Sequence, residues 1–136
     1  MYQFGVGLAF LATVRSDGGP RVHPMCPLIA ESGLFAFLIP SPKRDDLLRD
    51  GRYAMHSFPA DENEDAFYLT GVAEPVAAGE LRRQLQTQYL DERRLREPPK
   101  EFDEQELFAF HVDRCLYTVT TGHGDAEPRH RIWNAS

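Results

Sequence analysis

Short apolar runs separated by turn-forming residues occupy the first half of the chain. Residues 8–15 are apolar on both faces, the Asp-Gly-Gly sequence at 17–19 suits a turn, and residues 21–30 form a second run. This pattern predicts a β-hairpin. Similar runs, bounded by turn or polar residues, predict three further strands at 34–39, 53–58 and 66–76.

Two segments carry helical patterns. Within residues 80–90, Leu81, Leu85 and Tyr89 recur at four-residue spacing on a polar background, which predicts an amphipathic helix laid against a sheet. A shorter helix is predicted to begin after Ser41, because serine is a favoured N-cap.

The last third of the chain returns to strand patterns. Residues 106–113 and 115–122 predict two closing strands, whereas the tail, residues 122–136, has no periodicity. Short antiparallel strands with few helical residues fit a mainly β barrel with flanking helices better than a βαβ fold. The 136 residues suit a single domain, 1–136, with one core.

Composition and charge narrow the classes of function. The formal net charge of −6 disfavours general binding to nucleic acid or anionic lipid, so any anion site must be a local concentration of positive charge. Cys26 and Cys115 form no metal-binding or disulfide pattern, which favours reduced thiols in a cytoplasmic protein. The apolar run at 4–14 is too short to span a bilayer, so we interpret it as a buried strand and expect no membrane association.

The second strand contains two prolines, Pro24 and Pro27, and neither can donate to a β-ladder. Either this strand bulges or one of its edges is left free. The first strand is apolar on both faces, which implies that a helix or a partner subunit covers its outer side.

The first turn of the shorter helix contains two cations, Lys43 and Arg44, where the helix dipole favours anions. Two interpretations are open. Asp45 and Asp46 could screen the pair on a solvated face. Alternatively, a phosphate could bind there, where free backbone amides, the helix dipole and both cations all favour an anion.

Three segments in order resemble the FMN-binding split-barrel family of pyridoxamine 5'-phosphate oxidase-like proteins. They read LAFLATVRSDGGPRVHPMCPL at 8–28, LFAFLIPSPKRDDLLRDGRYAMHS at 34–57 and FYLTGVAEPV at 67–76, with weaker similarity at 106–120. The resemblance implies an antiparallel split β-barrel of six to seven strands with flanking short helices. It also implies a homodimer that binds FMN at the subunit interface and acts as an oxidoreductase on a small organic molecule.

The resemblance also carries site residues over to this sequence. Those expected to contact the FMN phosphate are Arg21, Ser41, Lys43 and Arg44. Those expected to run along the isoalloxazine ring are His23, Pro24, Met25 and Cys26. Trp133 is expected to approach the ring from the neighbouring subunit. No catalytic side chain is assigned, because the flavin itself carries the redox chemistry.

Other functions are open within the same resemblance. One is a reductase that uses the deazaflavin F420, and another is a non-catalytic protein that binds flavin or haem. The oxidase itself has basic residues where Pro42 and Cys26 stand here. His123, Asp125 and His130 could be metal ligands in principle, but their spacing supports no metal site, and none is expected.

Overall fold

The fold is described here from a computed structural model, which describes residues 2–3, 6–59, 62–99 and 102–136. Residues 4 and 5 of the apolar run at 4–14 therefore lie outside the described residues. The strands are β1 (Tyr2–Gln3), β2 (Val6–Gly7), β3 (Ala9–Val14), β4 (Pro20–Met25), β5 (Leu28–Ala30), β6 (Gly33–Leu38), β7 (Arg52–Ser57), β8 (Ala66–Pro75), β9 (Glu106–Val119) and β10 (Arg129–Asn134). The helices are α1 (Pro42–Arg49) and α2 (Glu80–Glu92), with a 3₁₀ turn at Phe102–Glu104.

One antiparallel sheet forms most of the molecule, in the order β4-β3-β7-β8-β9-β6-β5, and β10 adds to β9. β1 pairs with β2 in a separate ladder. The consecutive strands β4 and β5 stand at opposite ends of this order, so Cys26 and Pro27 carry the chain from one edge of the open barrel to the other. The predicted fold, a mainly β split barrel with flanking short helices, is confirmed.

The strand with two prolines is an edge strand. In the described part of the chain, β4 pairs with β3 alone, and Pro24 lies opposite Phe10 in that ladder. Pro27 falls in the break between β4 and β5, so the predicted strand at 21–30 is two strands. Of the two alternatives for this segment, the free edge is therefore the one that occurs, because a proline on an edge strand costs no ladder hydrogen bond.

Two predictions for the end of the chain are wrong. The segments at 106–113 and 115–122 form one strand, β9, because β8 pairs along both of them and Asp113 and Arg114 simply face solvent. The aperiodic tail contains β10, which pairs with the second half of β9. Every residue of β10 is exposed, so no buried face imposes an alternation of apolar and polar residues.

The core has two parts. The larger cluster fills the barrel and includes the fully buried Leu11, Met55 and Phe108. The smaller cluster lies under α2, where Leu85 is 2% exposed and packs near Leu107, as the four-residue spacing predicts. Neither helix in the described residues is long and apolar enough to cross a membrane.

A buried carboxylate fixes α1 to the edge of the sheet. Asp46 Oδ2 accepts hydrogen bonds from Thr13 Oγ1 on β3, at 2.8 Å, and from Arg21 Nε on β4, at 2.7 Å. Asp46 Oδ1 accepts a hydrogen bond from Arg49 at 3.1 Å. Burial alone would raise the pKa of Asp46, but the hydrogen bonds from Arg21, Thr13 and Arg49 lower it below its usual value. The carboxylate is therefore ionised and paired at neutral pH.

Replacing Asp46 should destabilise the fold strongly. Asp46→Ala leaves Arg21 without its buried partner, so we expect the free energy of unfolding to fall by about 3 kcal/mol. Because the folded-state pKa of Asp46 is lowered, its contribution is present at neutral pH and is lost as pH falls below about 4. Urea unfolding at several pH values measures both effects.

The neighbouring Asp45→Ala is the control, because Asp45 is exposed. It should change the unfolding free energy by less than about 0.5 kcal/mol. Equal destabilisation by the two substitutions, or a loss in Asp46→Ala that persists unchanged at low pH, would contradict the role given to the Asp46 network.

Candidate functional site

A cavity of about 260 Å³ lies in the split of the barrel. The end of β4 and the end of β6 border it on the sheet side, and the start of α1 and the end of α2 close it from the other side. Its lining residues are Met25, Cys26, Phe37, Leu38, Ile39, Lys43, Tyr89, Arg93 and Gln105.

Lys43 is the cation at the α1 side of the cavity. Its side chain is half-buried, and burial lowers the pKa of its ammonium group below the usual value. Within the described residues, its ammonium makes no hydrogen bond or ion pair. A positive charge that is partly desolvated and unpaired favours binding of an anion.

The N-terminus of α1 is also open to a ligand. Ser41 occupies the N-cap position, as predicted, but its side chain makes no capping hydrogen bond. Instead, Ser41 Oγ donates to the carbonyl oxygen of Ile39 at 2.9 Å. The first backbone amides of α1 therefore lack the side-chain acceptor that an N-cap serine usually supplies, and they add to the positive potential beside Lys43.

Asp46 is not available to screen the two cations in the first turn of α1. Asp46 points to the sheet and pairs with Arg21 and Arg49, while Asp45 is exposed. Among the ion pairs of the described residues, neither aspartate reaches Lys43 or Arg44. The interpretation in which Asp46 screens this pair is therefore wrong.

Aromatic rings form the wall opposite α1. Phe37, Tyr89 and Phe102 contact one another with ring centroids 5.2–5.5 Å apart. The Arg93 guanidinium carbon lies 3.7 Å from the centroid of the Tyr89 ring, and Arg82 lies over Phe37 at 5.5 Å. The rings are inclined to one another, with 82° between Phe37 and Tyr89, so they form an apolar cluster whose ring faces carry two arginines.

Among the described residues, three buried polar side-chain atoms have no hydrogen-bond partner, namely Gln105 Oε1, Arg93 Nη1 and Arg44 Nε. Gln105 is 8% exposed, so its amide oxygen is well removed from solvent. Buried polar atoms without partners are costly, and two of the residues that carry them, Gln105 and Arg93, line the cavity.

The turn that carries Gln105 is held by two arginines. Arg44 donates to the carbonyl oxygen of Glu104 at 2.8 Å, and Arg82 donates to the carbonyl oxygen of Gln105 at 2.8 Å. These bonds join α1 and α2 to the start of β9 and fix one side of the cavity.

Comparisons with known proteins show the fold. The chain superposes on a heme-binding protein from Mycobacterium smegmatis with a TM-score of 0.75 and 17% identity, covering 96% of this chain and 53% of that one. It therefore spans about half the length of that protein. It also matches HutZ, the heme storage protein from Vibrio cholerae, with a TM-score of 0.63, 17% identity and coverage of 78% and 81%. An F420 reductase matches with a TM-score of 0.65, 22% identity and coverage of 80% and 88%.

These matches share one architecture. The chain has the split-barrel fold of the pyridoxamine 5'-phosphate oxidase-like proteins. No protein-family model matches it, and no curated protein matches its sequence. At these identities the likeness shows the fold of the split barrel and nothing finer.

The split barrel brings some of the expected site residues together. Met25, Cys26 and Lys43 line one cavity. Ser41 is the N-cap of α1, two residues before Lys43. Arg44 donates a hydrogen bond to the carbonyl oxygen of Glu104.

The remaining expected residues lie elsewhere. Arg21 is tied to α1 through Asp46 and does not line the cavity. His23 and Pro24 lie on successive positions of β4, opposite Leu11 and Phe10 of β3, and so point to opposite faces of the sheet.

Trp133 lies on β10, opposite Cys115 of β9, and is 54% exposed. The pairing of β9 with β6, beside the cavity, ends at Ala109. The separation along β9 is about 20 Å at the usual rise per residue, so Trp133 does not reach the cavity of its own chain.

Sequence reasoning missed six of the residues that line the cavity. Three of them, Phe37, Leu38 and Ile39, were expected only as part of a strand, and the other three are Tyr89, Arg93 and Gln105. Tyr89 was assigned only to the apolar face of the amphipathic helix. Arg93 follows it by four residues, and this spacing places both side chains on one side of the helix end, which was an available signal. Gln105 lies in a short connection with no local pattern, so nothing in the sequence marks it.

The residues considered as metal ligands make other contacts. Asp125 accepts hydrogen bonds from the amides of Thr121 and Glu127, and His130 Nδ1 lies 2.9 Å from Thr118 Oγ1. No group of three or more potential ligands in the described part of the split barrel is placed to hold a metal ion.

Removing the unpaired amide of Gln105 should not destabilise the split barrel. We expect Gln105→Met to leave the free energy of unfolding unchanged or to raise it by up to about 1 kcal/mol, because the substitution removes a buried acceptor that has no partner. Thermal or urea unfolding measures the change.

Gln88→Met is the matched control, because Gln88 Nε2 donates to the carbonyl oxygen of Ile29 and to Glu92 Oε1, each at 2.8 Å. It should cost about 1 kcal/mol. A larger loss for Gln105→Met than for Gln88→Met would show that Gln105 serves folding and not a ligand.

Proposed function

We propose that the split barrel binds FMN with its phosphate at the start of α1, and that it is a flavin-dependent oxidoreductase acting on a small organic molecule. The observation that carries this proposal is Lys43. It is a half-buried cation with no anionic partner among the described residues, and it lies at an uncapped helix N-terminus.

The residues at the start of α1 fit a phosphate group. The Lys43 ammonium and the open amides of the first turn supply donors, and the helix dipole adds positive potential. Arg21 is held against the same helix by Asp46, and this ion pair offsets its charge, so the electrostatic part of the fit rests on Lys43 and the helix start. Because these groups are already in position, little ordering would be needed on binding.

The cavity fits part of a planar ring system. Phe37 and Tyr89 offer apolar aromatic contacts at an angle of 82° to each other, Met25 supplies an adaptable side chain, and Gln105 supplies a polar side chain in the cavity wall. The volume of about 260 Å³ is below the roughly 300–1,000 Å³ usual for sites that enclose such ligands. A second subunit would therefore cover the rest of the cofactor.

Support for a homodimer comes from the outer face of the sheet. One register row crosses six strands and contains Pro24, Phe10, His56, Tyr68, Leu116 and Ile132. Phe10, Tyr68 and Ile132 are 37%, 41% and 56% exposed. A broad apolar row of this kind is typical of a protein–protein interface, and it agrees with the covering expected for the first strand.

The chemistry divides simply between cofactor and protein. Bound FMN supplies hydride or electron transfer. The residues of this chain would bind the phosphate through Lys43, orient the ring against Phe37 and Tyr89, and exclude water from one side of it. Deazaflavin F420 is an alternative cofactor for the same groups, since it also carries a phosphate and a planar ring.

A haem-binding function is the second candidate. Two of the matched structures are named as heme proteins, and Met25 and Cys26 place two sulfur atoms of types that can bind haem iron at the same cavity. Haem carries two carboxylates, so Lys43 would have an anionic partner in that case as well.

Comparing FMN with riboflavin tests the phosphate assignment. Lys43→Ala should weaken FMN binding about tenfold or more, because it removes a charged hydrogen bond, and it should leave binding of riboflavin, which has no phosphate, nearly unchanged. Quenching of flavin fluorescence measures both affinities. Arg83→Ala is the charge-matched control, since Arg83 is 68% exposed on α2.

The outcomes separate the candidates. Equal loss of FMN and riboflavin affinity in Lys43→Ala would place the phosphate elsewhere. Absence of flavin binding, together with a haem absorption band when haemin is added, would overturn the flavin proposal and favour the haem function. NADH or NADPH should reduce the bound flavin if the protein is an oxidoreductase.

The proposed dimer is tested by charging its apolar row. Tyr68→Asp should convert a dimer to a monomer, because it places a charge in the centre of the buried face. Light scattering coupled to size-exclusion chromatography gives the mass. Leu95→Asp is the control, since Leu95 has similar exposure, 42%, but lies after α2. A monomeric wild-type protein would contradict the dimer outright.

A further inference from the structure

Cys26 has no assigned chemistry in the proposed function. It is a free, half-buried cysteine at the junction of β4 and β5, and its side chain borders the cavity. The other cysteine, Cys115, lies on β9 between Leu69 and Trp133, away from this cavity. The two thiols therefore have different surroundings, since only Cys26 borders the cavity.

The charged residues described in the walls around Cys26 are cations. Lys43 and Arg93 line the cavity, and no aspartate or glutamate of the described residues does. The chain as a whole has a net charge of −6, so an anionic reagent is repelled by most of the protein surface and attracted at this cavity. Local charge of this kind directs small anions to the thiol.

A second feature of the cavity wall is a buried polar side chain. Gln105 is more than nine-tenths buried and lines the same space, and its Oε1 atom has no hydrogen-bond partner among the described residues. A small polar molecule in the cavity would lie beside the side chains of Gln105 and Arg93 and the Cys26 thiol.

We propose that Cys26 is a covalent modification site at which a small anionic disulfide forms a mixed disulfide inside the Lys43 cavity. The thiolate sulfur attacks one sulfur of the disulfide. A new S–S bond forms to Cys26, the original S–S bond breaks, and its other half leaves as a thiolate with the electron pair. The thiol proton passes to solvent, and no further oxidant is required.

The consequence is a redox-sensitive block of the site. The attached group occupies the space beside Lys43 and neutralises its charge, so any anion that binds there is excluded until a free thiol reverses the exchange. This inference goes beyond the proposed function, because it holds whether the natural ligand is FMN, F420 or haem.

Two disulfides of different charge test the proposal on the intact, ligand-free protein. Dithiobis(nitrobenzoate) is a dianion, and dithiodipyridine is neutral. The rate of modification of each cysteine is followed by mass spectrometry of tryptic peptides, which carry Cys26 and Cys115 separately. The variants are Lys43→Gln and, as a charge-matched control, Arg83→Gln.

We expect Lys43→Gln to slow modification of Cys26 by the dianion about fivefold or more and to change its reaction with the neutral reagent less than twofold. Cys115 should respond to neither substitution. In wild-type protein, sodium chloride at about 0.2 M should slow the dianion selectively at Cys26, a result that needs no variant to fold.

Modification of Cys26 that is independent of reagent charge, of Lys43 and of salt would overturn the proposal, as would a Cys26 that reacts with neither reagent. None of these measurements uses flavin. Failure of the proposed FMN binding therefore leaves this test intact, and failure of this test leaves FMN binding to be judged separately.

Discussion

The hydrogen-bonded carboxylate of Asp46 is the interaction on which the candidate site depends. It binds Thr13 on β3 and Arg21 on β4, and so fixes α1 across the edge of the open sheet. This position brings the start of α1, with Lys43, against the ends of β4 and β6. The ion pair between Arg21 and Asp46 also affects Lys43, because Asp46 is then unavailable to neutralise it. One buried acidic group both places the cation and leaves it unpaired.

The split in the barrel supplies the rest of the site. Because β4 and β5 stand at opposite ends of the sheet, the chain must cross between them, and it does so at Cys26 and Pro27. Tyr89 of α2, Arg93 at the C-cap of α2 and Gln105 line the cavity beside this crossing. Arg44 and Arg82 hold Gln105 in place through backbone carbonyls, so Arg44 acts as a positioning residue for the cavity wall.

Most of the fold could be predicted from sequence because its signals are local. Alternation of apolar residues, the Asp-Gly-Gly turn and the spacing of Leu81, Leu85 and Tyr89 each act over a few residues. β10 was not predicted because it has no buried face. β9 was predicted as two strands because two exposed charged residues interrupt its pattern. Lys43 was found through its position in a helix turn, whereas Gln105 and the pairing of Arg21 with Asp46 depend on contacts between residues distant in the chain.

The pKa of Lys43 is the most direct test of whether this cation is held without a partner for an anionic ligand. With lysine labelled at its ε-carbon, the protein gives signals from two lysines only, Lys43 and Lys100, and Lys43→Gln assigns them. We predict that the pKa of Lys43 lies below its usual value in the ligand-free protein, because the side chain is half-buried and has no partner among the described residues, and that it rises when FMN saturates the site. A Lys43 pKa that is ordinary in the free protein and unmoved by FMN would contradict the account.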